Sequence, residues 1–238
     1  MSGIYIASGA KILPPRHSSQ GAVAGFSPLD LTPTLWFRAD TGTVSSWTDQ
    51  SGNGKHATQG NASFQPAITA SNAGFNNQAT YDFTVGDYMA TAALAANLAY
   101  PYTMYICFLA SAGTFVTDGL DGTHRLIPLI SGATLYLHTG AYGVQSTSAP
   151  TAKHVWCGLV KTAPDSAWYV DKYNTTEDTG DSGSNELNGL TIGAGWDGTS
   201  GITGSIAEII IYSTEHNSAT RQQVMEYMGT RYSVTITA

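Results

Sequence analysis

Charge is what this chain most lacks. Asp, Glu, Lys and Arg together make up 11% of 238 residues, against roughly 25% in ordinary soluble domains. Gly, Ser, Thr, Asn and Ala stand in their place, a neutral hydroxyl-rich surface of the kind common in extracellular and virion β proteins. Basic runs are absent. The five lysines and five arginines are scattered and the formal net charge is −7, so nothing is assembled to neutralise a phosphate backbone, and nucleic acid is not an expected partner. Cysteine is scarce: Cys107 and Cys157 both lie in apolar runs. The expectation is buried free thiols, with one bridge open if their strands are neighbours. No CxxC or CxxH spacing builds a metal framework. No apolar run approaches the roughly 20 residues that cross a bilayer. Residues 1–10 lack a basic n-region and a long apolar core, so export by the usual route is not expected of a chain starting at Met1.

What is present is strand after short strand. Leu35–Ala39 alternates, with Trp36 and Arg38 on one face and Leu35 and Phe37 on the other. Gln78–Phe83 and Ala167–Tyr173 alternate as well. Tyr102–Leu109 is almost continuously apolar, as a strand covered on both faces should be. Further strands are expected at 44–49, 87–90, 124–130, 133–138, 141–145, 153–161, 190–192 and 205–212, with Gly, Ser and Thr turns between them. The even spacing predicts an all-β, antiparallel two-sheet jelly-roll sandwich. No internal repeat is apparent. One helix is predicted over 218–232. Asn217 can cap it, and Val224, Met225, Met228 and Tyr232 form its apolar stripe. Arg221, Gln222, Gln223 and Glu226 mark the opposite face. Such a helix is marginal alone and must brace the sandwich.

Residues 1–33 read differently: Ile4-Tyr5-Ile6, the pair Pro14-Pro15, then Pro28 and Pro33, with little periodicity. They are either a flexible extension or an attachment arm whose short apolar strand pairs with another subunit. The domain proper is then 34–238.

The densest polar segment is Trp47–Gln59, WTDQSGNGKHATQ. Asp49 and Asn53 supply oxygens that either tie the turn's own amides or hold a structural calcium ion, which takes six to eight oxygens. The Asp118–Gly122 and Asp178–Asn185 stretches lack EF-hand spacing and read as solvated turns. Sugars stack their C–H faces on aromatic rings. Tyr100, Tyr102, Tyr142, Tyr173 and Trp196 look exposed. The preferred glycan constellation is Trp196 and Asp197 with Asn185 and Asn188, and the competing reading makes Trp196 a core or subunit-contact residue. No G-x-S-x-G nucleophile turn and no His pair at i, i+4 appear.

Several segments together resemble the concanavalin A-like lectin/laminin G-like jelly rolls of bacterial surface proteins and phage virions. They are LWFRADTG (35–42), the WTDQSGNGKHATQ loop, FQPAI (64–68), QATYDFTVGDYM (78–89), AWYVDKY (167–173), LTIGAGW (190–196), GSIAEIIIY (204–212) and the helix through Val234. The resemblance spans Leu35–Val234. It implies glycan binding, adhesion or structural decoration. Some relatives of the broad fold are hydrolases with two carboxylates placed across the sugar. Here the five glutamates, at 177, 186, 208, 215 and 226, match no such pattern, and Glu208 has no carboxylate two residues away on its strand. The expectation is a non-enzymatic virion subunit, capsid-decorating or tail-associated. It would meet other virion proteins through its arm, with homo-oligomers and glycans as further partners and without membrane insertion. A secreted, cell-surface adhesion module is the alternative, and a glycoside hydrolase the third reading.

Overall fold

The computed structural model describes residues 25–238. Ile4-Tyr5-Ile6 and Pro14-Pro15 of the expected arm lie outside the described residues. The strands in chain order are β1 (Leu35–Thr43), β2 (Ser46–Asp49), β3 (Ala57–Thr58), β4 (Ala67–Asn72), β5 (Gln78–Phe83), β6 (Met89–Thr91), β7 (Tyr102–Gly113) and β8 (Thr117–Asp118). Then come β9 (Ile127–Ser131), β10 (Thr134–His138), β11 (Gln145–Ser146), β12 (His154–Val160), β13 (Ser166–Val170), β14 (Asp178–Gly180), β15 (Thr191–Ile192) and β16 (Ile202–Tyr212), followed by the helix α1 (Ser218–Tyr232). Every ladder is antiparallel. One path runs β14-β13-β12-β7-β16-β1 and curls on through β2-β3-β6-β15-β8. A second sheet is β11-β10-β9. The protein is an all-β jelly-roll sandwich with one helix near its C-terminus, as expected. No helix among the described residues is long and apolar enough to cross a membrane.

The two faces of β7 explain the layers. Tyr102, Met104, Ile106 and Phe108 point into the cluster between the sheets, while Tyr105 and Cys107 point the other way. Period-two alternation produces this, and both faces are apolar because both are covered. The cover on the second face is α1. Asn217 Oδ1 accepts from the Thr220 amide at 2.9 Å, capping the helix. The stripe Val224, Met225, Met228 and Tyr232 is fully buried. Burying these side chains supplies on the order of 6–12 kcal/mol of gross transfer free energy, far more than helix propensity alone. Arg221 and Glu226, read from sequence as the outward face, are buried too. Arg221 lies 4.0 Å above the Tyr169 ring and donates to the Tyr173 and His216 carbonyls. Tyr169 on β13 and the segments carrying Tyr173 and His216 cover the helix beyond its apolar stripe.

A bulge decides the fate of Glu208. Ile206 faces Phe108 and Glu208 faces Cys107, so Ala207 is left unpaired. Strand parity shifts there, and Glu208 turns under the helix, fully buried. Trp36 Nε1 donates to it at 2.6 Å, Tyr232 OH at 2.9 Å and Tyr227 OH at 3.1 Å. Burial raises its pKa against the pull of those donors. It ties helix to sheet and has no route to solvent.

The cysteines sit on neighbouring strands, yet Val155 faces Cys107 and Cys157 faces Tyr105. They are diagonal neighbours, roughly 7–8 Å apart on one face, beyond disulfide reach. Both are free and buried. Tyr102, expected to be exposed, is wholly buried in the inter-sheet core. Strand β4 was not legible, because its AITASN run is polar and half exposed on an outer position. Phe26, Pro28 and Leu31, within the expected arm, pack on the body: the Phe26 ring meets Tyr227, and Tyr212 OH donates to the Pro28 carbonyl at 3.2 Å.

Candidate functional site

The Trp47–Gln59 loop is held by its own side chains. Trp47 is fully buried and stacks on Tyr81 at 4.1 Å. Asp49 Oδ1 accepts from the amides of Trp36 and Ser51, and Oδ2 accepts from the Ser51 hydroxyl and the Lys55 amide, at 2.9–3.1 Å. Asn53 points its amide nitrogen at the carbonyls of Pro33 and Thr34. Both Asp49 oxygens are thus occupied by donors, and Asn53 acts as a donor, the geometry of a tied turn. No group of three or more His, Cys, Asp or Glu able to hold a metal occurs among the described residues.

The second locus is built around Asp118. Expected to lie in a solvated turn, it is fully buried at the end of β8. Its carboxylate takes Arg125 Nε at 3.2 Å and Nη2 at 2.8 Å, and also accepts the amides of Gly119 at 2.8 Å and Trp196 at 3.1 Å. A buried carboxylate needs this many donors to be tolerated. In consequence Asp118 fixes two loops at once, 118–125 and the segment carrying Trp196. Asn188 joins the first from the other side: its Oδ1 accepts the Leu120 amide at 2.9 Å and its Nδ2 donates to Asp121 at 2.8 Å.

Trp196 stands 47% exposed on this base. Gly122 lies against its indole, close enough that a Cβ there would be 3.5 Å from Nε1. Beside it Phe115 packs on Gly195, where a Cβ would come within 3.0 Å of the ring, and the Arg125 guanidinium sits 5.4 Å above Phe115. Phe115, Tyr136 and Tyr142 line an open groove of about 530 Å3. Tyr142 is 60% exposed and stacks edge-on to Tyr136 at 5.6 Å and against His138 at 4.4 Å. Burial, then the Arg125 charge, lowers the His138 pKa, so the ring is neutral near pH 7. Asp197 accepts from the Thr199 hydroxyl and amide, which hold its carboxyl below the usual range. Asp121 is held low chiefly by the Thr123 hydroxyl.

Of the residues expected from sequence, Trp196, Asp197 and Asn188 come together around Asp118. Asn185 does not join them. Its amide donates to the Thr139 carbonyl at 2.8 Å and its side chain lies beside Gly140, on the segment that leads to Tyr142. Phe115, Tyr136, Arg125 and Asp118 were missed. The one available signal was the Asp118/Arg125 pair seven residues apart across a glycine-rich loop. Tyr136 and Phe115 look like ordinary strand aromatics until the two sheets are brought together.

The fold and this loop cluster define a jelly-roll β-sandwich with an aromatic surface at one end. No family model and no curated protein matches the chain. Several solved structures share the fold. The binding domain of botulinum neurotoxin DC, in complex with rat synaptotagmin II, has a TM-score of 0.62 at 10% identity, over 85% of this chain and 52% of that one. Domain 4 of AbnA, an extracellular GH43 arabinanase of Geobacillus stearothermophilus in complex with arabinotriose, has 0.53 at 15%, over 82% and 98%. A Trypanosoma rangeli sialidase has 0.54 at 11%, over 84% of this chain and 33% of its own, so the present chain spans about a third of the sialidase's length. At these identities the likeness shows the sandwich fold.

Proposed function

We propose that this chain is a non-catalytic glycan-binding module whose site is the aromatic surface around Trp196 and Tyr142. The observation that carries the reading is that pair of rings, 47% and 60% exposed, with Tyr142 lining a groove together with Phe115 and Tyr136; Asp197 follows Trp196 in the chain, and Asn188 and Asp121 bond to each other in the loop cluster on Asp118. Large exposed aromatics on rigid supports cost solvation unless they meet a ligand, and C–H faces of sugars are such a ligand. The Trp196 amide is tied to Asp118 and its indole lies on Gly122, while the Tyr142 ring packs on Tyr136 and His138, so little freedom is lost when a ligand arrives. Among proteins sharing the fold, an arabinanase domain is bound to arabinotriose, which agrees with this use of the scaffold. The non-catalytic part is supported by the carboxylates. Asp121 and Asp197 are held low and so are not general acids near neutrality, and Glu208 is sealed under α1.

A virion and a cell surface are both settings in which such a module would serve. The arm that motivates the virion setting lies, over residues 1–24, outside the described residues. The test is a glycan array with the full chain, repeated with Trp196→Ala and Tyr142→Ala. Binding that falls at least tenfold in W196A, with no sugar released on prolonged incubation, is expected. An array without hits overturns the reading, and turnover that survives purification overturns its non-catalytic part.

A further inference from the structure

The aromatic surface continues beyond the groove. Tyr88 lies against Gly198, where a Cβ would be 2.9 Å from the Tyr88 ring, and Phe64, 40% exposed, packs on Tyr88 at 6.0 Å. The ladder explains why these rings line up. Thr58 faces Ala90, Met89 faces Ile192, and Ile192 faces Thr117. Phe115 then bridges to Leu129, which faces Tyr136. The entry to β6, the exit of β15 and the entry to β8 therefore lie at one end of the sandwich, and each strand end delivers a ring there. Six aromatics, Phe64, Tyr88, Trp196, Phe115, Tyr136 and Tyr142, follow one another along this rim. From β3 to β10 is five lateral steps of about 4.8 Å, or about 24 Å, the length of roughly four or five linked sugar rings.

We propose that the rim binds an extended internal stretch of a neutral linear polysaccharide, rather than a single terminal sugar; this rests on the glycan-binding reading above. Length comes from the row of rings. Neutrality comes from the charges on the rim. Arg125 is spent on Asp118 through two hydrogen bonds, and His124 faces Asp121 at 3.0 Å. Asp197 stands without a cation within ion-pair distance among the described residues. A uronate or sialate chain would meet this acidic edge with Arg125 already bonded to Asp118 and His124 facing Asp121.

Calorimetric titration of the full chain with neutral gluco-, xylo- and arabino-oligosaccharides of two to six units, and with a polyuronate, tests this. At least one neutral series should tighten with each added unit up to four or more. Phe64→Ala, at the end far from Tyr142, should weaken the hexasaccharide about 3- to 10-fold and leave the disaccharide unchanged, while Tyr142→Ala and Trp196→Ala weaken every length. Both end residues are exposed, and an unchanged melting temperature verifies the fold. Affinity that is complete at the disaccharide, or indifferent to F64A, overturns the extended-chain proposal and leaves the glycan reading standing. Preference for the polyuronate overturns neutrality. No binding by any probe, or a concentration-dependent dimer abolished by W196A, overturns both.

Discussion

Asp118→Ala is the substitution that most directly tests how the site is built. The carboxylate is fully buried and accepts four hydrogen bonds, two from Arg125 and one each from the Gly119 and Trp196 amides. Alanine removes both acceptor oxygens, and with them all four bonds, and leaves Arg125, its side chain only 21% exposed, without its counter-ion. Breaking a buried ion pair from one side costs about 3–5 kcal/mol, most of it the stranded charge. Partial water access to Arg125 puts the expected loss at the lower end, about 3 kcal/mol. With a urea slope near 3 kcal/mol/M for a domain of this size, the unfolding midpoint should fall by about 1 M. Asp118→Asn keeps one oxygen acceptor for the Trp196 amide and should lose less. Both variants should weaken glycan binding beyond the unfolded fraction, because the Trp196 segment loses its anchor. A D118A midpoint within 0.2 M of wild type would refute the argument, since Arg125 and Trp196 would then be held by something else.

Three more outcomes follow from the same geometry. His216 is buried, accepts or donates with Tyr105 OH at 2.9 Å, and has its pKa lowered to about 4 by burial and then by Arg221. The unfolded ring takes its proton first as pH falls, so this contribution is complete above about pH 6.5 and is lost towards pH 4, up to about 3 kcal/mol; the difference between wild type and His216→Gln in urea midpoints across pH 4–7 isolates it, and parallel curves would remove His216 as the cause. Asp49→Ala strands the buried Trp36 amide and should cost about 2 kcal/mol in the same measurement, whereas a chelator should leave the wild-type melting temperature in place, a fall showing instead a cation on Asp49. Burial raises both thiols, Cys157 to about 12, so an aromatic disulfide reagent should modify neither until the chain unfolds.

Much of the scaffold was legible because hydrophobic alternation reports directly on which face of a strand is covered. The two-sided apolar run at 102–109 became the central strand β7, and Asn217 with the Val224–Tyr232 stripe located α1. The sequence leaves Asp49 two roles, tying its own turn or holding a cation, and its four donors fit the first. Where local pattern and burial part company, the sequence misled. Tyr102, at the start of the central strand, looked exposed and is in the core; Arg221 and Glu226 looked solvated and are buried.

From the sequence alone came the sandwich, its antiparallel strands, the bracing helix and the prominence of Trp196, because each depends on residues close in the chain. Only the tertiary structure decided that Asp118 is a buried post for Arg125 and Trp196, that the Ala207 bulge turns Glu208 away from solvent, and that Cys107 and Cys157 sit diagonally. It alone gathered Phe64, Tyr88, Phe115, Tyr136 and Tyr142 beside Trp196. The reason is register: strands far apart in sequence meet with their ends aligned, and which side chains share a rim is set by that pairing rather than by any local run of residues.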